Sequence, residues 1–149
     1  MSNKARQLKS PEQDYKTTKY IHRGKLDKGY KETLKEADCL TFSFKHLDLN
    51  DPEFKIDRCE GKWFIKLLER KKSYCTMTPQ KIKEGGKATR CHTIDWSQTS
   101  KRGFNIPNLS YDIDERQLGI SKNRGRIIGF FVENLFYVVW LDPDHNLYA

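Results

Sequence analysis

The sequence predicts an α+β fold in which a strand and two helices precede an antiparallel sheet of about four strands. Three observations support this prediction. Residues 39–47 alternate between apolar and polar side chains, residues 60–72 and 78–86 have helical patterns, and the chain closes with two adjacent apolar runs, RIIGFFV and LFYVVWL. Helices followed by a run of strands indicate that both helices pack on one face of the sheet. A chain of 149 residues has room for one such domain.

The first strand and the start of the helical region follow from local patterns. In CLTFSFKHL, residues 39–47, Leu40, Phe42 and Phe44 fall on one face of a half-buried strand. Asp51 is a favourable N-cap and Pro52 suits the first helical turn, so a helix is expected to begin there.

The two helices themselves are predicted from side-chain spacing and end signals. In EGKWFIKLLERKK, residues 60–72, the apolar side chains repeat at helical spacing with basic side chains opposite. Gly61 leaves open whether this helix is continuous from Pro52. In TPQKIKEGG, residues 78–86, Thr78 caps a short helix, Pro79 takes its first position, and the two glycines end it.

The remaining strands come from the second half of the chain. Residues 87–96 alternate again, residues 97–110 are typical of a loop, and Leu118 and Ile120 are candidates for a short strand. RIIGFFV and LFYVVWL are joined around Glu133–Asn134, where asparagine tolerates the left-handed backbone of a tight turn. Both strands are apolar on both faces, so they are predicted to be central and covered on both sides.

Residues 1–38 differ from the rest of the chain and are predicted to form a basic, partly flexible arm before the domain at residues 39–149. They hold ten basic and six acidic side chains, few aliphatic ones and no strand alternation. Such an arm is either a poorly ordered terminus or a contact for RNA or a partner protein.

Charge is the strongest signal in the composition. The formal net charge is +8 and the isoelectric point is about 9.3. Residues 62–90 hold nine basic side chains against two acidic ones. This clustering favours a polyanion partner over a merely solvated helix face. The basic side chains predicted to bind nucleic acid are Lys62, Lys66, Arg70, Lys71, Lys72, Lys81, Lys83, Arg90, Lys101 and Arg102.

Compartment and cofactors are predicted mainly from what the sequence does not contain. No apolar stretch approaches the roughly 20 residues of a membrane span, and the amino terminus lacks a secretory pattern, so a cytoplasmic protein is expected. The four cysteines form no CxxC pair, and reduced thiols are the preferred interpretation. A zinc site assembled from distant cysteines with His46 or His92 is the alternative. No cofactor and no metal are predicted.

The element order and the end of the chain resemble the RelE/YoeB-like toxins of bacterial toxin–antitoxin systems. An arginine opens the penultimate strand in GRIIGFFV, the last strand is apolar, and a histidine and a near-terminal tyrosine close the chain in DPDHNLY. The resemblance is closest over residues 118–149 and extends through element order to residue 39. It implies a metal-independent endoribonuclease that cleaves messenger RNA, on the ribosome in many members, and that is neutralised by an acidic antitoxin protein.

The resemblance implies a catalytic set of Arg124, Arg126, His145 and Tyr148. An imidazole can give or take a proton near neutrality, so His145 is the expected acid or base. Arg124 and Arg126 would clamp the phosphate, because the guanidinium fork meets phosphate in a bidentate manner. Tyr148 would stack on a base or donate its hydroxyl hydrogen.

Simpler roles exist for the same residues. His145 in DPDHN can be a turn residue that bonds locally, and Arg126 can pair with Asp142 or Asp144. The competing function is a non-catalytic nucleic-acid- or protein-binding module of a mobile element on the same scaffold. A metal-dependent nuclease is disfavoured, because the sequence has no cluster of acidic ligands.

Overall fold

A computed structural model describes residues 38–109 and 113–149. The predicted arm therefore lies outside the described residues, except for Asp38. In chain order the elements are β1 (Thr41–Ser43), α1 (Gly61–Tyr74), α2 (Pro79–Lys83), β2 (His92–Thr93), β3 (Asp114–Gly119), β4 (Arg126–Val132) and β5 (Leu135–Asp142). Two single 3-10 turns, Trp96–Gln98 and Asn146–Tyr148, complete the description. Within the described residues, neither helix is long and apolar enough to span a bilayer.

The sheet is mixed, with five strands in the order β1-β5-β4-β3-β2. Strands β2 to β5 form an antiparallel meander, whereas β1 adds to the free edge of β5 in parallel, with Phe42 opposite Phe136. The α+β class is confirmed, and strands β2 to β5 form the antiparallel part of about four strands. The parallel addition of the N-terminal strand β1, which makes the sheet mixed and five-stranded, was not predicted. Side-chain alternation shows which residues form a strand, but it carries no information on the direction in which an edge strand is added.

The helices lie where the pattern predicts, but the segment before them does not form a helix. Thr78 caps α2 by accepting a hydrogen bond from the backbone N–H of Lys81 at 3.2 Å. Asp51 instead closes a turn, because its side chain accepts the N–H of Glu53 at 2.9 Å. That turn places Phe54 in the core with only 1% of its surface exposed. Residues 51–59 therefore serve as a covering loop.

The central hairpin is buried on both faces, as its apolar pattern predicts. On one face, Trp63 and Leu67 of α1 and Ile82 of α2 pack with Ile127 and Phe136. The opposite face is covered by loops and by the carboxy-terminal turn; its members include Phe54, Ile94, Phe104, Phe130, Trp140 and Leu147. The helices thus form one layer and irregular segments form the other.

Two predicted strands are much shorter than expected. β1 keeps three of the nine predicted residues, and Phe44 beyond it is 49% exposed. The second alternating stretch contributes only His92–Thr93, because Arg90 has a left-handed backbone with φ 47° that extended structure does not allow.

Candidate nucleic-acid interface

A basic cleft opens where the start of α1 meets the turn between β3 and β4 and the segment after β5. It has a volume of about 910 Å³. Its lining residues are Lys55, Arg58, Cys59, Glu60, Lys62, Trp63, Ser121, Lys122, Asn123, Arg124, Pro143 and Asp144.

The cleft carries an excess of positive charge that the described protein does not neutralise. Five of the lining side chains are basic, namely Lys55, Arg58, Lys62, Lys122 and Arg124, and two are acidic. All five basic residues are exposed. None of them forms an ion pair with another residue of the described ranges. An anion entering the cleft would therefore meet cations that no carboxylate of the described residues pairs with.

Backbone contacts fix the rim on which Lys122 and Arg124 stand. The indole N–H of Trp63 donates to the carbonyl oxygen of Arg124 at 2.7 Å and ties the β3–β4 turn to α1. Gly125 ends that turn with φ 98°, and a Cβ atom there would collide with the carbonyl oxygen of Asp142. The turn is thus held against both the helix and the end of the hairpin, which keeps the two basic side chains facing solvent.

Three arginines gather beside this cleft around the buried phenol of Tyr74. The Tyr74 hydroxyl donates to the carbonyl oxygens of Thr89 and Gly119, at 2.9 and 2.5 Å. Arg70 donates through Nε to the same Gly119 oxygen at 3.3 Å, and its guanidinium carbon lies 4.7 Å from the centre of the Tyr74 ring. There is no room for a side chain at Gly119, because a Cβ atom there would lie only 2.9 Å from the Cβ of Arg90.

Arg126 completes this arginine cluster, formed by Arg70, Arg90 and Arg126, and connects it to the cleft. Its guanidinium donates to the carbonyl oxygens of Ser121 and Gly125, at 3.1 and 2.9 Å, and Ser121 lines the cleft. Burial, followed by repulsion from Arg90, lowers the pKa of Arg126. None of the three arginines forms an ion pair within the described part of the chain. The cluster is a place where a bound anion would relieve repulsion between like charges.

The four predicted catalytic residues are only partly brought together. Arg124 lines the cleft and Arg126 belongs to the arginine cluster. His145 follows Asp144, another lining residue, and has a left-handed backbone with φ 57°. Arg126 is the strand partner of Asp142, and the Asp142 carboxylate accepts the backbone N–H of Asn146, the residue after His145, so these groups lie at the same end of the hairpin.

Tyr148 is separated from the other three by its hydrogen bond. Its phenol oxygen accepts the backbone N–H of Asp95 at 2.9 Å. Asp95 precedes a turn whose Trp96 belongs to the cluster on the face opposite the helices. In this arrangement Tyr148 holds the end of the chain in place and does not line the cleft.

The predicted nucleic-acid-binding residues divide into structural and exposed side chains. Lys71 is only 9% exposed, and its ammonium lies 3.5 Å from the centre of the Phe44 ring. Lys83 and Lys101 pair with Asp114 and Asp51, each at 2.7 Å. The exposed members are Lys62, Lys66, Lys72, Lys81 and Arg102.

Of the exposed members only Lys62 lines the cleft, and Lys66 pairs with Glu69 at 3.3 Å. Sequence patterns missed Lys55, Arg58 and Lys122, which stand on loops brought together by the fold. The only signal for them was the general excess of basic residues.

The cysteines and potential metal ligands do not form a second site. All four cysteines are free thiols, and burial raises the pKa of Cys91 to about 11, which keeps it protonated at neutral pH. Across residues 38–109 and 113–149, no three His, Cys, Asp or Glu side chains are grouped so that they could hold a metal ion.

The protein is thus a basic α+β protein with a cleft of about 910 Å³ that five basic side chains line. A comparison with protein-family models, with curated proteins and with solved structures finds no match for the chain.

Proposed function

We propose that the protein binds single-stranded RNA, with the sugar–phosphate chain lying in the basic cleft and one phosphate at the arginine cluster. The observation that carries this proposal is the set of five exposed basic side chains around one cleft, none of them in an ion pair with a described residue. Phosphate contacts of this kind supply most of the affinity in nucleic-acid binding. The choice of RNA follows the resemblance to RelE/YoeB-like toxins.

The arginine cluster would hold a bound phosphate in a defined orientation, which lysines alone would not do. Each guanidinium stays charged and can donate two parallel hydrogen bonds to phosphate oxygens. Arg126 is anchored by backbone carbonyls and Arg70 by the Gly119 oxygen and the Tyr74 ring. Little side-chain freedom would be lost on binding, because these groups are already positioned.

The test compares two triple variants that lose the same charge. The cleft variant is Arg58→Gln, Lys62→Gln, Arg124→Gln, and the matched control is Lys72→Gln, Lys81→Gln, Arg102→Gln, whose residues are exposed and outside the cleft. Affinity for a fluorescent single-stranded RNA of about 20 nucleotides is measured by anisotropy across a salt series.

The expected magnitudes follow from counterion release. Each phosphate contact on a single strand contributes about −0.7 to the slope of log affinity against log salt, so the five cleft contacts and the one at the arginine cluster give about −4.2. The cleft variant keeps three of these contacts and should fall to about −2.1, whereas the control triple should keep a slope near −4.2. Equal slopes for the two triples would mean that RNA does not lie in the cleft.

A second candidate function is metal-independent RNA cleavage of the toxin type, on a RelE-like scaffold. The observation that favours it is the placement of Arg126 and His145 at one end of the hairpin, close to Asp142. The 2′-hydroxyl oxygen would attack the phosphorus and the bond from phosphorus to the 5′-oxygen would break. His145 would take the proton of the attacking 2′-hydroxyl, water would protonate the departing 5′-oxygen, and Arg126 would stabilise negative charge on the phosphate. With this function we expect the protein to be cytoplasmic, to cleave messenger RNA on the ribosome and to be neutralised by an acidic antitoxin protein. The alternative is a non-catalytic nucleic-acid- or protein-binding module of a mobile element on the same scaffold.

Cleavage is tested separately from binding. Labelled messenger RNA is incubated with the protein in the presence of a metal chelator, and growth of a bacterial host is followed during expression. The cleavage proposal expects fragments and growth arrest for the natural chain, loss of both in His145→Ala and in Arg126→Gln, and unchanged RNA affinity in His145→Ala. Intact RNA and normal growth with the natural chain would leave the binding module as the function.

A further inference from the structure

Gly119 is the residue at which the three side chains of the arginine cluster meet. Its carbonyl oxygen accepts a hydrogen bond from Nε of Arg70 at 3.3 Å. A Cβ atom built on Gly119 would lie 2.9 Å from Cβ and 3.1 Å from Cδ of Arg90, so the stem of Arg90 covers this glycine. Arg126 lies directly opposite Gly119 on β4, and side chains at such paired positions are neighbours on one face of a sheet. One residue of β3 is therefore in contact with all three arginines.

Many hydrogen-bond donors of the cluster are unused within the described chain. Arg70 donates through Nε, and Arg126 donates through Nη1 to two carbonyl oxygens, whereas the guanidinium of Arg90 bonds to no residue of the described ranges. Arg126 thus keeps Nε and Nη2, which form one side of its rigid fork, and Arg90 keeps its whole guanidinium. Each of these forks can donate a pair of hydrogen bonds to phosphate oxygens.

The backbone of Arg90 is strained, and the strain is fixed by its neighbours. Its φ is 47°, in a region that residues other than glycine seldom adopt. Its N–H donates to the carbonyl oxygen of Gly86 at 2.9 Å. The carbonyl oxygen of Thr89 accepts the N–H of Gly119 at 2.8 Å and the hydroxyl of Tyr74 at 2.9 Å. Strain of this kind is concentrated at ligand-binding sites, which supports a binding role for Arg90.

The charge of the cluster is better matched by a dianion than by an internal phosphate. No carboxylate of the described residues pairs with the three guanidinium groups. Asp142 lies opposite Arg126, but its two oxygens accept the backbone N–H groups of the carboxy-terminal turn. An internal phosphodiester carries one negative charge and has two oxygens without an ester bond. A terminal phosphate carries a charge of about −1.5 to −2 at pH 7 and has three acceptor oxygens.

We propose that the arginine cluster binds a phosphate monoester, either the terminal phosphate of an RNA strand or the phosphate of a free nucleotide. For the strand end this rests on the proposed RNA binding in the cleft, to which the cluster is joined because Arg126 donates to the carbonyl oxygen of Ser121. The competing occupant is an internal phosphodiester, which the cleavage candidate would require at Arg126.

The first test compares RNA strands that differ only at their ends. Four strands of one sequence and about 20 nucleotides carry a fluorophore on an internal base, so that both ends stay free. One has a 5′-phosphate, one a 3′-phosphate, one only hydroxyl ends, and one the methyl ester of whichever terminal phosphate binds more tightly. That terminal phosphate should improve affinity about tenfold over hydroxyl ends. The methyl ester should lose most of this gain, because it removes one charge and one acceptor oxygen.

A matched pair of substitutions locates the terminal phosphate. Arg90→Gln keeps the stem from Cβ to Cδ that covers Gly119 and removes the guanidinium, which makes no bond within the described chain, so the fold should be kept. The tenfold preference should disappear in this variant. Arg102→Gln removes the same group from an exposed residue outside the cleft and the cluster, and the preference should not change.

The second test separates a free nucleotide from a strand end. Uridine, uridine 3′-monophosphate and uridine 5′-monophosphate are titrated into the natural chain and into both variants by calorimetry. If a free nucleotide is the ligand, one monophosphate should bind and uridine should not. Arg90→Gln should weaken that binding severalfold, and Arg102→Gln should leave it unchanged.

A terminal-phosphate preference that only Arg90→Gln removes supports the proposal with the strand end as the source. Equal affinities for the four strands, together with monophosphate binding that only Arg90→Gln weakens, support it with a free nucleotide as the source. Equal affinities without monophosphate binding would overturn the proposal, and so would a preference or binding that survives Arg90→Gln or is lost equally in Arg102→Gln. Such a failure leaves RNA binding in the cleft intact, and failure of the cleft variants leaves the monophosphate titration valid.

Discussion

Asp142 is the residue whose removal should most directly loosen the carboxy-terminal segment that carries His145. Its carboxylate is 1% exposed and accepts the backbone N–H groups of Asn146 and Leu147, at 2.8 and 3.0 Å. Replacing it by alanine leaves both donors without an acceptor, and a buried donor left unsatisfied costs about 1–3 kcal/mol. With two such groups, Asp142→Ala should lose about 3 kcal/mol of unfolding free energy, or about 10 °C in Tm.

Asp142→Asn removes the charge and keeps one of the two hydrogen bonds, because its single amide oxygen can accept from Asn146 or from Leu147 but not from both. The alanine variant keeps neither bond, so at pH 7 the asparagine variant should be the more stable of the two. Burial is the main cause that raises the pKa of Asp142 above its ordinary value, although the two N–H groups oppose this. The unfolded chain therefore loses its proton first, near pH 3.9, and the native state loses stability as pH rises from there through the raised pKa.

The assay is urea unfolding of the natural chain and both variants at several pH values between about 4 and 7. Because Asp142→Asn retains nearly every other titrating group, its difference from the natural chain isolates Asp142. The advantage of the natural chain over the asparagine variant should shrink as pH rises. An advantage that grows with pH, or an alanine variant as stable as the natural chain, would refute this account of the segment.

Two further predictions concern a buried lysine and the turn at the cleft rim. Burial lowers the pKa of Lys71, so the natural chain should gain stability relative to Lys71→Met as pH rises from about 8 to 10, measured by urea unfolding; a constant difference would contradict it. Gly125→Ala should cost about 3 kcal/mol or more in thermal unfolding, because its φ is 98° and a Cβ would meet the Asp142 oxygen. Gly61→Ala is the control, since nothing lies within 4 Å of its Cβ position; equal losses would exclude the turn geometry as the cause.

The central hairpin could be predicted from sequence because its signal is local. Strands that are apolar on both faces must be covered on both sides, and the structure covers them with helices on one side and loops on the other. The hairpin turn lies where the sequence predicts it, but the residue with the left-handed backbone is Glu133, at φ 54°, and not the neighbouring Asn134.

Features that depend on tertiary contacts could not be predicted in this way. The parallel addition of β1 depends on the path of the chain across the helices, and Arg90 has a left-handed backbone where alternation predicted a strand. Phe54 lies in the core on a turn that the capping signals of Asp51 and Pro52 presented as a helix. In each case a contact distant in sequence overrides a local preference.

The residues of the candidate site also divide into those that local sequence signals predict and those that only tertiary contacts bring together. Arg126 and His145 stand out because of their residue types at a strand end, and the fold places both near Asp142. Tyr148 has the same residue-type signal, yet its hydroxyl is bonded to the Asp95 backbone. Lys55, Arg58 and Lys122 carry no motif. Lys122 shares the β3–β4 turn with Arg124, and Lys55 and Arg58 line the same cleft only because the loop before α1 meets that turn.

The most direct test of the proposed interface is a lysine footprint with and without bound RNA. The protein is briefly acetylated, and the modification of each lysine is quantified by mass spectrometry. RNA in the cleft should slow the acetylation of Lys55, Lys62 and Lys122 severalfold. The acetylation of Lys72 and Lys81, which are also exposed but lie outside the cleft, should not change. Protection of Lys72 and Lys81 with full reactivity of the three cleft lysines would contradict the proposal that RNA binds in this cleft.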